Sequence, residues 1–362
     1  MIRQLKTITA RVIGLVNILV VALMLAVGYS SYVDPLAHPL LSCLGITFPF
    51  FLATNLAFLF FWLLFKRKYA LIPIFGYVLA YVPIRIYMPL NVWPEESSTD
   101  VIKVLSYNVM SYSGTPRYNN SFDMIYDYIA QNNADIVCLQ EANDSWRSSL
   151  VRFGELYEYV DTTDVGSGTR NVLALLSRYP IIRKERIDYP SRGNGSMAYY
   201  LRRDDDTLLV INNHLETNHF TTLERERYKE MIKGEMENDT ARAESKKIIH
   251  KLRNAVLLRA PQANAVHKYI EMHRDYPIIV CGDFNDNPVS YSHRIIASGL
   301  TDCFVSTGTG LGISYNQKGF YVRIDNIMCS KEITPYDCKV DAGIDASDHY
   351  PIYCYLSIKN KP

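Results

Sequence analysis

The chain has 362 residues, 48% of them hydrophobic, and a formal net charge of +1, which leaves room for one large domain plus an appendage. So small a net charge excludes a global field drawing in nucleic acid or an anionic surface. Residues 1–100 carry seven Lys/Arg and four acids, and the remainder carries 31 basic and 33 acidic residues, which is not the basic balance of a duplex-DNA binder.

Residues 12–33 contain no charge, and neither do residues 40–65, LLSCLGITFPFFLATNLAFLFFWLLF. Each exceeds the ~18 apolar residues that suggest a spanning helix. The first run is long for a cleaved signal peptide, and a second follows at once. A third run, 69–84, ends at Arg85. Extended toward Trp93 it can cross with Arg85 snorkelling to the interface, or it can lie flat. We therefore expect a transmembrane anchor in residues 1–90, with two or three helices at about 12–33, 40–65 and 69–90, embedded in a lipid bilayer. Arg3, Lys6 and Arg11 precede the first run, Lys66, Arg67 and Lys68 follow the second, and the loop between them lacks Lys and Arg. By the positive-inside rule the N-terminus and the Lys-Arg-Lys loop are cytoplasmic. Three spans then place the following domain outside the cytoplasm (in the periplasm of a Gram-negative cell), and two would leave it inside. Residues 91–100, NVWPEESSTD, read as a linker.

Beyond residue 100 short apolar runs alternate with helical stretches. The runs are 101–109, 134–141, 171–178, 207–215, 276–286, 322–330 and 350–358, of a length that fits buried strands. Residues 121–132 place Phe122, Ile125, Tyr126 and Ile129 on one helical face, and 260–273 also read as helix. The expected fold class is α+β: a two-layer β-sandwich flanked by helices, preceded by the helical transmembrane region. Of seven cysteines, four lie in or beside these runs and none has ligand spacing, so buried free thiols are expected; a Cys303–Cys338 pair stays open.

Several of these runs end in Asn, Asp, Glu or His. One such tip is ordinary turn chemistry, but five or six carrying carboxylate, amide and imidazole look like a converging site. In chain order the blocks are Ser-Tyr-Asn108, Gln-Glu141, Leu-Ser-Arg178-Tyr-Pro, Asn-His214-Leu, Gly-Asp283-Phe-Asn285, Arg-Ile-Asp325 and Ser-Asp348-His349. This ordered set resembles the endonuclease/exonuclease/phosphatase superfamily, which includes pancreatic-type deoxyribonuclease, the abasic-site endonucleases, neutral sphingomyelinase and the inositol-polyphosphate 5-phosphatases. The resemblance covers residues 101–362. Its short strings are weak singly and specific together.

The resemblance implies a metal-dependent hydrolase acting on phosphodiester or phosphomonoester bonds, with Mg²⁺ as cofactor or Mn²⁺ in its place. Glu141 and Asn108 offer the oxygen ligands that Mg²⁺ accepts; the resemblance assigns both to the metal, with Asp348 as a further ligand. It makes Asp283 the activator of the attacking water or a second metal ligand, and Asn285 a phosphate donor. His349 is expected on the phosphate with Asp325 behind it, since a carboxylate behind an imidazole fixes its tautomer and raises its pKa. His214 is expected as a second phosphate donor; the abasic-site branch carries a tyrosine there. Arg170 and Asn171 open the next strand as substrate-binding residues, and deoxyribonuclease-like members have Glu where this chain has Asn171.

Between His214 and the Gly-Asp-Phe-Asn block lies a charged insertion, about 217–258, with Ile248, Ile249, Leu252, Val256 and Leu257 at helical spacing. One or two helices are expected, either a structural hairpin or a lid. The substrate is expected to be a lipid headgroup or other small phosphoester at the membrane, or alternatively DNA or RNA cleaved by a nuclease. Nothing in the sequence specifies an oligomeric state.

Overall fold

The computed structural model describes residues 2–92, 100–114, 121–143, 148–166, 171–317 and 320–358. It divides into two compact units, Met1–Tyr87 with Val289–Tyr291, and Met88–Pro288 with Ser292–Pro362.

The first unit is helical, with helices Ile2–Gly28, Phe48–Phe65, Leu71–Leu79 and Tyr81–Tyr87. Gln4–Gly28 and Pro39–Phe65 are each long and apolar enough to cross a membrane. The first helix begins earlier than the uncharged run because Arg3, Lys6 and Arg11 are themselves good helix formers. Its buried polar groups pair with one another. Asn17 donates to Asn55 Oδ1 at 3.0 Å, and Trp62 Nε1 donates to Asn17 Oδ1 at 2.9 Å. Such amide bonds join apolar helices that have no other polar partner. The third apolar run is bent by 66° between Arg67–Leu79 and Tyr81–Tyr87. Pro83 explains the bend: it has no N–H to offer the carbonyl four residues back, and its ring crowds that carbonyl. That carbonyl, on Leu79, accepts instead from the Tyr29 hydroxyl at 2.8 Å.

The second unit holds fourteen strands among its described residues: β1 Ile102–Asn108, β2 Ile136–Gln140, β3 Tyr159–Asp164, β4 Val172–Ser177, β5 Ile181–Ile187, β6 Gly195–Arg203, β7 Asp206–His214, β8 Ile278–Asp283, β9 Thr301–Asp302, β10 Tyr315–Gln317, β11 Phe320–Val322, β12 Asp325–Cys329, β13 Ile333–Val340 and β14 Ile352–Ile358. Two six-stranded sheets form, in the orders β13-β14-β1-β2-β4-β3 and β5-β6-β7-β8-β12-β9, and β10-β11 is a separate hairpin. β1–β2 and β7–β8 run parallel.

The central strands are buried on both faces, which is why they read as continuous apolar runs rather than alternating ones. Between the sheets Val104, Ile136, Cys138 and Leu175 meet Tyr199, Val210, Ile279, Cys281 and Ile327. Outside the first sheet Leu105 and Val137 pack on Ile125 and Ile129 of helix Phe122–Asn132. Outside the second, Ile211 and Val280 pack on Ala263, Val266 and Ile270 of helix Asn238–Met272. The chain thus builds the expected two-sheet sandwich with helices on its outer faces. All seven cysteines are free; Cys303 Sγ lies 3.8 Å from Cys329 Sγ, and no disulfide joins it to Cys338.

The insertion supplies helix Thr222–Lys233, opened by a Thr221–Glu224 capping box and closed by Gly234 at φ 73°, in the left-handed conformation common just past helix ends. The stretch expected as a separate helix from residue 260 is continuous with the insertion in the single 35-residue helix Asn238–Met272, which carries Pro261 in its interior. Proline's fixed φ is helical, so its cost is one hydrogen bond and local crowding. Buried Val256, Arg259, Gln262 and Val266 on both sides of Pro261 hold the helix together.

Candidate active site

Strand register builds the site. His214 ends β7 opposite Asp283 at the end of the parallel β8, and Asp283 is paired with Asp325 at the start of the antiparallel β12. Residues in register on neighbouring strands share a face, so an imidazole and two carboxylates stand side by side on one row. In the other sheet Asn108 ends β1 opposite Gln140 of β2, and Glu141 follows. Glu141 takes φ 51° and Asn285 φ 52°, a region that costs non-glycine residues energy and recurs at functional sites. Gly282 sits at φ 126°, and a Cβ there would lie 2.0 Å from the Asn213 carbonyl oxygen, so the residue before Asp283 has to be glycine.

The side chains converge. Asn108 Nδ2 donates to Asp283 Oδ2 at 3.1 Å and to Glu141 Oε1 at 3.2 Å. His214 Nε2 lies 3.6 Å from Glu141 Oε1 and 3.7 Å from Asp283 Oδ2. His349 Nε2 is 3.7 Å from the same Asp283 oxygen, while its Nδ1 is 2.8 Å from Asp325 Oδ2. Asn285 donates from its backbone N–H to Asp283 Oδ1 at 2.8 Å and from its amide to the Leu215 carbonyl at 2.9 Å. Asn171 places its amide Nδ2 3.1 Å from His214 Nδ1. Nε2 of His214 faces two carboxylates, so we assign the proton there and make Nδ1 the acceptor of the Asn171 amide. Asp348 is half-buried within electrostatic range of His349 and Glu141. Arg170 lies outside the described residues.

Partners beneath the site hold it in place. Ser347 donates to the Asn108 carbonyl at 2.7 Å, pinning the Ser-Asp-His turn to β1. Ser314 Oγ accepts the backbone N–H groups of Ile324 and Asp325, each at 3.0 Å. Gln140 donates to Asn212 Oδ1 at 2.7 Å, and Asn212 donates to the Leu139 and Ala174 carbonyls, which ties the two sheets under the carboxylates. Tyr315 packs edge-on against His349, with ring centroids 5.1 Å apart. The sequence reading missed Ser314, Asn212 and Tyr315. Asn212 sits within the Asn-Asn-His block and carried the only signal; Ser314 precedes and Tyr315 opens the short strand β10, in a stretch without periodicity.

The electrostatics are lopsided. Burial alone would lower the His349 pKa, but Asp325, Asp283 and Asp348 outweigh it and push it up to about 10. Burial pushes Asp283 up to about 7, against the pull of His349. Burial also raises Asp348, with Glu141 adding to it, and burial lowers His214, so that imidazole is neutral. Four carboxylates therefore stand around one imidazolium. Oxygen donors in excess of positive charge are what a hard divalent cation takes up. Asp283, Asp325 and His349 can bring one ligand atom each within 4.8 Å of the others. A protonated His349, however, has no lone pair for a metal. The Glu141 carboxylate, one-third exposed beside this cluster, is a further oxygen donor that could meet a cation.

The sandwich that carries these residues has known counterparts. The model of the "Endonuclease/Exonuclease/phosphatase family" matches residues 105–349, and that of a domain of unknown function (DUF8431) matches residues 10–87. No curated protein sequence matches the chain. Among solved structures, a family protein from Bacteroides thetaiotaomicron aligns with TM-score 0.51 and 17% identity over 72% of this chain and 96% of its own. The human Nocturnin catalytic domain with bound sulfate aligns with TM-score 0.51 and 17% identity over 74% and 100%. A humanized D. rerio TDP2 aligns with TM-score 0.50 and 18% identity over 71% and 99%. These likenesses are likenesses of fold, and the family match spans the sandwich from β1 to His349. The chain belongs to the endonuclease/exonuclease/phosphatase family of phosphoester-hydrolysing enzymes.

Proposed function

We propose that the chain is a Mg²⁺-dependent phosphoesterase acting on a lipid headgroup or another small phosphoester at a membrane, through the residues gathered around Asp283. The observation that carries this reading is the approach of four groups to Asp283 Oδ2: Asn108, Asn285, His214 and His349. Asp283 accepts the proton of the attacking water, its basicity raised by burial. His349, kept protonated and oriented by Asp325, donates from Nε2 to a phosphoryl oxygen. His214 Nε2–H and the Asn285 amide donate to the remaining oxygens, and Arg170 and Asn171 are assigned as substrate-binding residues. All of these donors meet charge that grows in the transition state. Glu141 and Asn108, with Asp348, would hold Mg²⁺ or Mn²⁺. A bound divalent cation supplies charge neutralisation for the phosphoryl and leaving oxygens.

Two features support a small substrate at a bilayer: the two long apolar helices and the slightly acidic balance beyond residue 100. On the flanking charges we place the N-terminus in the cytoplasm, the bent third run across the membrane, and the catalytic unit outside the cytoplasm. The test is a panel assay of the full-length protein in detergent with Mg²⁺ against sphingomyelin-type lipids, inositol phosphates, bis-p-nitrophenyl phosphate and plasmid DNA. Preferred turnover of the lipid or small esters is expected. Preferred cleavage of DNA would replace the substrate assignment with that of a nuclease.

A further inference from the structure

The insertion has its own internal logic, with one residue outside it. Lys251 bonds Glu224 at 2.6 Å, while Arg227 and Lys247 bond Glu244 at 2.5 and 2.9 Å. The Lys251–Glu224 and Arg227–Glu244 pairs hold helix Thr222–Lys233 to helix Asn238–Met272, and Lys247 braces Glu244 from within the second helix. Arg225 takes no part in them, and among the described residues it has no carboxylate within ion-pair distance. It stands in the first turn of its helix, where the helix dipole disfavours a cation. Its guanidinium lies instead over the Tyr315 ring, 5.8 Å from the centroid, and Tyr315 is the ring packed edge-on to His349. The insertion thereby carries a half-buried cation to within one aromatic ring of the imidazole. A guanidinium placed so is a ready donor to a phosphate or carboxylate.

We propose that Arg225 is a specificity residue binding a second anionic group of the substrate, separated from the scissile phosphate by about the breadth of the Tyr315 ring. The substrate class is then a phosphoester bearing a further phosphate or phosphonate, with Tyr315 as the wall between the two subsites. This rests on the reading of His349 as the scissile-phosphate donor. Arg225 also faces Asp348 electrostatically, so a purely structural role would act on any phosphate ligand alike, whereas a second subsite acts only on doubly anionic ones.

The experiment is calorimetric binding of hexane-1,6-bisphosphonate and hexylphosphonate, neither of which can be hydrolysed, to the full-length protein in detergent with Mg²⁺. The wild type should bind the bisphosphonate about tenfold more tightly, the worth of one added charge-assisted contact. Arg225→Ala should collapse that ratio to the roughly twofold statistical advantage of two equivalent ends, and Arg225→Lys should restore part of it. An unchanged ratio in Arg225→Ala, or equal weakening of both ligands, would overturn the assignment of Arg225 alone. Failure of the wild type to bind either ligand would remove the phosphate site and the subsite together.

Discussion

His349 Nδ1 lies 2.8 Å from Asp325 Oδ2, and the second Asp325 oxygen is buried with no hydrogen-bond partner among the described residues. The carboxylate is thus committed to the imidazole, and the pair acts as one unit: Asp325 fixes the tautomer and the charge, and His349 presents Nε2 to the site. His349→Ala should lower kcat by about 10³-fold, since a donor to developing charge is lost. Asp325→Asn should cost about 10–100-fold, because the imidazole remains but is no longer held charged. Steady-state kinetics with bis-p-nitrophenyl phosphate decides this. Equal losses from both substitutions would contradict the division of labour.

Glu216 marks where the insertion leaves the sandwich. Its fully buried carboxylate accepts from Ser191 at 2.8 Å, the Arg192 N–H at 3.1 Å, Gln262 at 3.3 Å and His219 at 3.0 Å. Burial alone would raise its pKa, but these bonds outweigh burial and hold it below the ordinary value of 4.5. Between the folded and unfolded values the unfolded chain binds more protons, so stability rises with pH there. The contribution is complete above about pH 4.5 and is lost as pH falls through the folded value. Glu216→Gln should cost about 1–3 kcal/mol at neutral pH. It should also flatten the fall of Tm below pH 4.5, as followed by thermal melts from pH 7 to pH 3. An acid limb as steep as the wild type's would show that Glu216 is not its source.

Topology has a direct readout. The bend at Pro83 leaves the third run either as one kinked crossing or as a segment lying in the interface. With the third run as a crossing, a reporter fused after residue 100 should behave as exported, with alkaline phosphatase active and green fluorescent protein dark. A bright fluorescent fusion beside an inactive phosphatase would put the catalytic unit in the cytoplasm.

The sandwich was legible because its strands are buried on both faces, and continuous apolar runs of strand length survive in sequence. Asn108, His214, Asp283 and Asp325 were legible because each ends or begins such a run, so strand register converts sequence position into spatial proximity. Tyr315, Ser314 and Arg225 were not. They reach the site from the start of a short hairpin and from an inserted helix, whose placement depends on tertiary contacts such as the Tyr315–His349 backbone bridge. The fusion of the insertion with the following helix was hidden by Pro261, a residue that usually marks a boundary and here sits between two well-packed flanks.

Metal dependence is decided by hydrolysis of bis-p-nitrophenyl phosphate by the purified full-length protein, first in EDTA and then with Mg²⁺ restored, for the wild type and for Glu141→Gln. No turnover is expected in EDTA, with full recovery of the wild type once Mg²⁺ is restored. In Glu141→Gln the Mg²⁺ concentration for half-maximal rate should rise by at least about tenfold, as a ligand charge is lost. Undiminished turnover in EDTA, or a Glu141→Gln protein with the wild-type Mg²⁺ response, would contradict it.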